Sequence, residues 1–228
     1  MQIFIDSANL QEIEKWLRQG VADGVTTNPS IMLKDGIFDL EDGTRRLCKL
    51  LGDRPVSIEV TTNDPKEMIT QARAFADIAR NVVVKIPVIT EDGKSCLETV
   101  NTLVRENIAV NCTAILSFNQ AVLGAKAGAT YISVFAGRVA DEGGDPAVVI
   151  RNIRQWIDAW ALPVRLIVGS IRSTIDVQSA ALAGAHIITV PPQFLSKMID
   201  HQYTRATVHQ FNQDAEKAML QIRAKQVA

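Results

Sequence analysis

Eight short apolar segments, most of them rich in β-branched residues and each closed by a turn or helix signal, constrain this chain more than any other feature. They are QIFI at 2–5, GVTT at 24–27, VSIEV at 56–60, VVVKIP at 82–87, AVNCTAI at 109–115, YISVF at 131–135, RLIVGS at 165–170 and HIITVP at 186–191. Their apolar residues run continuously instead of alternating, the pattern of strands covered on both faces, as parallel strands are. Between them the periodicity becomes helical. Asn9 is placed to cap a helix with Glu12 three residues on, Leu10, Ile13 and Leu17 share one face, and Gly20 offers a stop. Asp64, Pro65 and Glu67 form a second helix start, followed by an apolar stripe of Met68, Ala72, Phe75, Ala76 and Ala79. Similar patterns follow at about 95–105, 117–127, 145–160 and 174–183.

Eight strand–helix units in 228 residues come close to the ~250 residues of a closed eight-stranded α/β barrel, whereas a doubly wound sheet usually has fewer strands. No GxGxxG follows the first strand, and no Gly-, Ser- or Pro-rich linker divides the chain. The expected architecture is therefore one (β/α)8 barrel domain over 1–228. Residues 203–224 read as an extra C-terminal helix in which Val208, Phe211, Ala215, Met219 and Ile222 recur at three- and four-residue intervals. Such an arm packs either on its own barrel or on a neighbouring subunit, and the pattern alone leaves both open.

Composition narrows the partners. With 24 Lys and Arg against 25 Asp and Glu, the surface lacks the positive excess that drives general nucleic-acid binding. The opening MQIFIDSANL has no basic stretch before an apolar one, and no run approaches the roughly 18 apolar residues of a membrane span, so a cytoplasmic protein without membrane contact is expected. Cys48, Cys96 and Cys112 are odd in number and far apart, which suits reduced core thiols better than disulfides or a zinc site. His186, His201 and His209 are placed for neither a metal cage nor a triad, and Trp16, Trp156 and Trp160 fall in helical patterns as packing residues.

In such a barrel, reactive groups gather at the carboxyl ends of the strands. The polar residues there are Asp6, Asn28, Glu59, Lys85, Asn111 with Thr113, Ser133 with Arg138, and Ser170 with Arg172. Lys85 stands out, because a lysine inside VVVKIP is buried and lysine is seldom buried without a partner or a purpose. Desolvation disfavours its ammonium form, and a neutral amine attacks carbonyls to form a Schiff base. The competing reading is an ion pair with a carboxylate such as Glu59 on the adjacent strand. Asp6 and Glu59 supply two carboxylates for acid–base work. Arg138 and GSIRST at 169–174 suggest an anion pocket, with helix-start amides adding donors suited to the phosphate of a sugar phosphate.

IDSAN at 5–9, GVTTNPSI at 24–31, VVVKIP at 82–87 and YISVFAGR at 131–138 together resemble the transaldolase family, in particular its short branch, which includes the fructose-6-phosphate aldolases. The resemblance spans essentially the whole chain. It implies a Schiff-base lysine at Lys85, an acid/base group at Asp6, and Asn28, Asn111 and Ser133 holding the hydroxyls of dihydroxyacetone. It also implies a catalytic water set by Glu59 and Thr113, phosphate binding at Arg138, Ser170 and Arg172, no metal or organic cofactor, and a homo-oligomer, pentameric or decameric. Glu59 and Phe135 resemble the transaldolases, since the aldolases of this branch carry Gln and Tyr there. Val134 replaces a proline common in the family, and Ala136 and Gly137 stand where bulkier residues are usual.

The implied activity is transfer of a dihydroxyacetone unit from a ketose phosphate, such as fructose 6-phosphate, to an aldose phosphate. An aldolase releasing free dihydroxyacetone is the alternative. A non-catalytic sugar-phosphate-binding barrel is disfavoured by the retention of Asp6, Glu59 and Lys85 together.

Overall fold

The computed structural model describes residues 1–227, with side chains as far as Lys225. Strand and helix alternate from the start: β1 (Gln2–Asp6), α1 (Leu10–Arg18) and β2 (Gly24–Thr26) lead into two helices that the periodicity does not announce, α2 (Pro29–Lys34) and α3 (Leu40–Leu51). The regular units follow as β3 (Val56–Glu59), α4 (Pro65–Ile78), β4 (Val82–Pro87), α5 (Leu97–Arg105), β5 (Val110–Ile115), α6 (Phe118–Lys126) and β6 (Tyr131–Phe135). A short α7 (Ala136–Asp141), also unannounced, precedes α8 (Pro146–Ala159), β7 (Arg165–Gly169), α9 (Thr174–Leu182) and β8 (Ile187–Val190). The eight strands pair in parallel and in sequence order, with β8 returning to β1 to close the barrel.

Helix starts follow local chemistry. The Asn9 side chain accepts the N–H groups of Gln11 and Glu12, and Asp64 accepts those of Lys66 and Glu67 behind the first-turn Pro65. Asp145 and Pro146 repeat that arrangement on α8. Cys48, Cys96 and Cys112 are free and buried. His186 is structural, since its Nδ1 accepts the Leu166 N–H at 3.0 Å. Trp16 is buried in α1, and Trp156 meets Phe118 edge to face at 6.0 Å. Trp160 corrects the packing assignment: it is 72% exposed, because it follows α8 as its C-terminal cap, beyond the buried stripe of Ile150, Ile153 and Ile157.

Inside the barrel, Phe4, Val83, Tyr131, Ile167 and Ile187 form one buried cluster, with Ala109 packed against it. Only the interior brings these strands together, so the cluster is the floor of the barrel. Phe4 and Tyr131 meet edge to face with ring centroids 6.3 Å apart. Side chains on a strand alternate between faces, so the residue two places on from each floor residue also points inward, one layer nearer the carboxyl ends. Those residues are Asp6, Lys85, Ser133, Gly169 and Thr189, with Asn111 two beyond Ala109. The floor thus dictates which residues rise above it.

A second compact unit begins at Gln193 and holds most of α10 (Pro192–Ile199) together with α11 (Gln202–Val227). The helix expected at 203–224 is present with one extra residue at its start and three at its end, and Val208, Phe211, Met219 and Ile222 on it are exposed.

Gly24 makes the floor possible. Paired with Phe4 across β1 and β2, it would, with a Cβ, approach the Phe4 ring to 2.7 Å. Gly24→Ala should therefore overpack the interior and destabilise the fold by about 1–3 kcal/mol. Urea unfolding of the two proteins measures this, and an unchanged midpoint contradicts the floor assignment.

Candidate active site

Lys85 is the centre of the upper layer. It is only 5% exposed, and its Nζ donates to Glu59 Oε2 and to the Thr27 carbonyl, both at 2.8 Å. Strand pairing explains the geometry: Glu59, Lys85 and Asn111 are register partners on β3, β4 and β5. The ion pair weighed from the sequence is thus present. An ammonium has three N–H groups and these two contacts use two of them. Lys85 also lines a cavity of about 190 Å³ at the carboxyl ends of the strands.

Asp6 lines the same cavity, across from the β3–β5 wall. Its Oδ1 accepts the Thr26 hydroxyl at 2.7 Å, and Thr26 Oγ1 lies 2.5 Å from Thr189 Oγ1 on β8. Burial pushes the Asp6 carboxyl above its ordinary value, outweighing the Thr26 hydrogen bond and the Lys85 charge, which act the other way. Such a group gives and takes a proton more readily than a solvated aspartate does.

The remaining wall carries further polar side chains. Asn28 Oδ1 caps α2 by accepting the Ile31 N–H at 2.8 Å, which commits its carbonyl and leaves its amide N–H groups for a ligand. Ser133 donates to Asn111 Oδ1 at 2.7 Å, and Asn111 Nδ2 donates to Ser57 Oγ at 3.3 Å. Thr113 Oγ1 is buried without a hydrogen-bond partner while its residue lines the cavity. A buried hydroxyl without a partner is costly unless something in the cavity meets it. Ala114 follows in the left-handed region, φ 58°, where β5 shifts register against β6. Phe135 closes the upper wall with an apolar ring.

Arg138 and Ser170 also line this cavity. Ser170 sits at φ 58° just past β7, a strained conformation for a residue with a Cβ. The loop it begins packs on α7: a Cβ on Gly137 would come within 2.5 Å of the Ser170 carbonyl and 2.6 Å of Arg172 Nε. The small residue noted at 137 is what this approach requires. Arg172 lines a second cavity, of about 330 Å³, with residues of α7, α8 and α9.

Of the eleven residues expected at the site, Asp6, Asn28, Lys85, Thr113, Ser133, Phe135, Arg138 and Ser170 share the first cavity. Glu59 and Asn111 stand behind it, held to Lys85 and Ser133, and Arg172 faces elsewhere. Thr26, Thr27, Ser57 and Thr189 went unnoticed in the sequence. Period two would have found three of them, since Thr26 lies two after Gly24, Ser57 two before Glu59 and Thr189 two after Ile187. Thr27 acts through its backbone, which no side-chain pattern signals.

Barrel and cavity together define a (β/α)8 protein with a buried lysine between carboxylates at the carboxyl ends of its strands. The profile of the family described as Transaldolase/Fructose-6-phosphate aldolase matches residues 3–228, and the chain belongs to that family. It is 41% identical over 218 residues to a protein of Exiguobacterium sibiricum named probable transaldolase, covering 96% of this chain and 99% of that one. A probable transaldolase of Dehalococcoides mccartyi is 42% identical over 214 residues, 94% and 97% of the two chains. Among solved structures, a thiamine phosphate pyrophosphorylase from Pyrococcus furiosus superposes with TM-score 0.57 at 11% identity, over 83% of this chain and 85% of that one. A mandelate oxidase superposes with TM-score 0.58 at 16% identity, over 83% of this chain and 64% of the oxidase. Those two likenesses are of fold alone. Among the described residues no helix is long and apolar enough to cross a membrane.

The raised Asp6 carboxyl has a stability consequence. The native state holds the Asp6 proton more tightly than the unfolded chain does, so stability falls as pH rises from the ordinary carboxylate range through the raised native value. Asp6→Asn removes the buried charge while keeping an acceptor for Thr26. It should raise the urea midpoint at neutral pH, and the gain should vanish below the ordinary aspartate range. A lower midpoint at pH 7 contradicts the assignment.

Proposed function

We propose that the protein is a transaldolase that carries a dihydroxyacetone unit from a ketose phosphate, such as fructose 6-phosphate, to an aldose phosphate through a Schiff base on Lys85. The observation that carries this reading is the buried Lys85 amine, held by Glu59 and Thr27 on the wall of a cavity that Asp6 shares.

In this mechanism the Lys85 ammonium first gives a proton to Glu59, the acceptor already 2.8 Å away. The amine adds to the ketone carbon and the carbinolamine loses water, leaving an iminium. Asp6 then takes the proton of the C4 hydroxyl. The C3–C4 bond breaks, its electron pair flows to the iminium, and an aldehyde phosphate departs from the enamine left on Lys85. The acceptor aldehyde enters, the enamine carbon attacks its carbonyl, and Asp6 returns the proton to the new alkoxide. Water adds to the second iminium and frees the product. Thr113, with its unpartnered hydroxyl, and Glu59 are the groups proposed to hold that water.

Asn28, Asn111 and Ser133 hold the hydroxyls of the three-carbon unit, and Arg138, Ser170 and Arg172 receive the phosphate. Phe135 favours transfer over simple cleavage, because an apolar ring offers no hydroxyl to relay a proton to the waiting enamine. The cytoplasm is the proposed setting, and the free buried cysteines accord with it.

Borohydride added with fructose 6-phosphate should fix a three-carbon adduct on Lys85, read by peptide mass. Lys85→Ala should abolish the adduct and lower kcat/KM on the order of a thousandfold or more. Turnover should require an acceptor such as erythrose 4-phosphate. An unmodified Lys85 overturns the Schiff-base reading, and full turnover without acceptor overturns transfer in favour of cleavage.

We further propose a single barrel domain over 1–228 whose α11 docks on a neighbouring copy in a homo-oligomer, pentameric or decameric. The exposed apolar stripe of α11 supports this. Phe211→Glu combined with Ile222→Glu should reduce the assembly mass measured by light scattering, and an unchanged mass contradicts it.

A further inference from the structure

Arg172 follows Ser170 by two residues, yet its side chain lines the second cavity and not the one that holds Lys85. Asp141, the last residue of α7, accounts for this. Its carboxylate accepts both terminal nitrogens of Arg172, Nη1 to Oδ1 at 2.5 Å and Nη2 to Oδ2 at 2.7 Å, the fork-to-fork geometry in which arginine grips an anion. The same carboxylate lies 3.5 Å from Nη1 of Arg138, three residues earlier on α7. One internal anion therefore serves two guanidinium groups, of which Arg138 faces the catalytic cavity. The Arg172 hydrogen bonds, and after them the charges of Arg172 and Arg138, hold the Asp141 carboxyl below its ordinary range.

The surroundings restrict what can move. The Arg172 backbone N–H donates to Asp176 Oδ2 at 2.8 Å, which fixes the main chain. Gly137 lies against Nε and leaves room for the guanidinium stem. Side-chain torsions are the remaining freedom. The Arg172 and Asp141 side chains are 49% and 40% exposed, so solvent weakens their pair and exchange of partners costs little.

We propose that Asp141 is a positioning residue, an internal anion that occupies the Arg172 fork in the free protein and that the phosphate group of a substrate must displace, turning Arg172 toward Arg138 and Ser170. The proposal rests on the sugar-phosphate reading above and deepens it. A phosphate with up to two negative charges and three acceptor oxygens outcompetes one carboxylate, whereas an uncharged hydroxyl does not. Asp141 thus sets phosphate affinity and leaves the binding of an unphosphorylated sugar untouched.

The test is calorimetric binding of inorganic phosphate at low ionic strength to the full-length protein, Asp141→Asn, Asp141→Ser, Arg172→Gln and the Asp141→Asn/Arg172→Gln pair. Removing the competing charge should tighten phosphate binding about three- to tenfold, the effect of one unit charge a few ångströms away in partly solvated surroundings. The gain should disappear in the Arg172→Gln background. In turnover, Asp141→Asn should lower KM for fructose 6-phosphate and leave KM for unphosphorylated fructose unchanged, whereas a merely structural role moves both. Unchanged or weaker phosphate binding in Asp141→Asn, or no binding to any of the proteins, overturns the proposal. Borohydride trapping of unphosphorylated dihydroxyacetone on Lys85 reads the Schiff-base mechanism separately, so the two failures are distinguishable.

Discussion

A buried amine with fixed partners is the constraint on which the site depends. Lys85 Nζ lies in the barrel interior on the wall of the cavity, and its contacts with Glu59 and the Thr27 carbonyl hold it there. Leaving such a charge unpaired would cost several kcal/mol, and even a paired one repays its desolvation only with good geometry. A hydrophobic residue would serve stability at position 85 at least as well. The carboxylate beside it and the cavity in front of it are therefore better understood as chemistry than as packing. Asp6 carries the same signature from the opposite wall, with burial raising its carboxyl.

The barrel places these groups by alternation. Phe4, Val83, Tyr131, Ile167 and Ile187 make a floor, and inward-pointing residues two places further on make the cavity. The floor is tight enough that Gly24 is needed opposite Phe4. Apolar packing fills the lower layer and polar groups the upper, so the fold tolerates a polar, partly strained rim at Ala114 and Ser170. The same economy appears at Gly137, whose missing side chain lets the loop after β7 sit against α7.

Strand order and the layer of Asp6, Lys85 and Ser133 were legible because buried parallel strands produce unbroken apolar runs, and a charged residue inside such a run is conspicuous. The helices α2, α3 and α7 were not. α2 and α7 have six residues each, too few to display a helical period, and the buried face of α3 runs through Gly43 and Thr44 before it reaches Leu47, Cys48 and Leu51, so its apolar stripe covers only the second half of the helix. At the site, the hydroxyls of Thr26 and Thr189 were hidden by their ordinary β propensity, and the Thr27 carbonyl by being backbone. The partner of Arg172 was hidden for another reason. Asp141 is 31 residues away in sequence, and only the closure of β6 on β7 brings α7 to the loop that carries Arg172.

Lys85 as the covalent centre, with Asp6 at the bond being broken, is the claim from which every other role follows. A crystal structure of the protein soaked with fructose 6-phosphate tests it most directly. The account predicts continuous density from Lys85 Nζ to the second carbon of a three-carbon unit, with the C3–C4 bond cut and an Asp6 oxygen facing the side from which the fourth carbon departed. A sugar seated in the cavity without a bond to Nζ, with Nζ still held by Glu59 and Thr27, would contradict it.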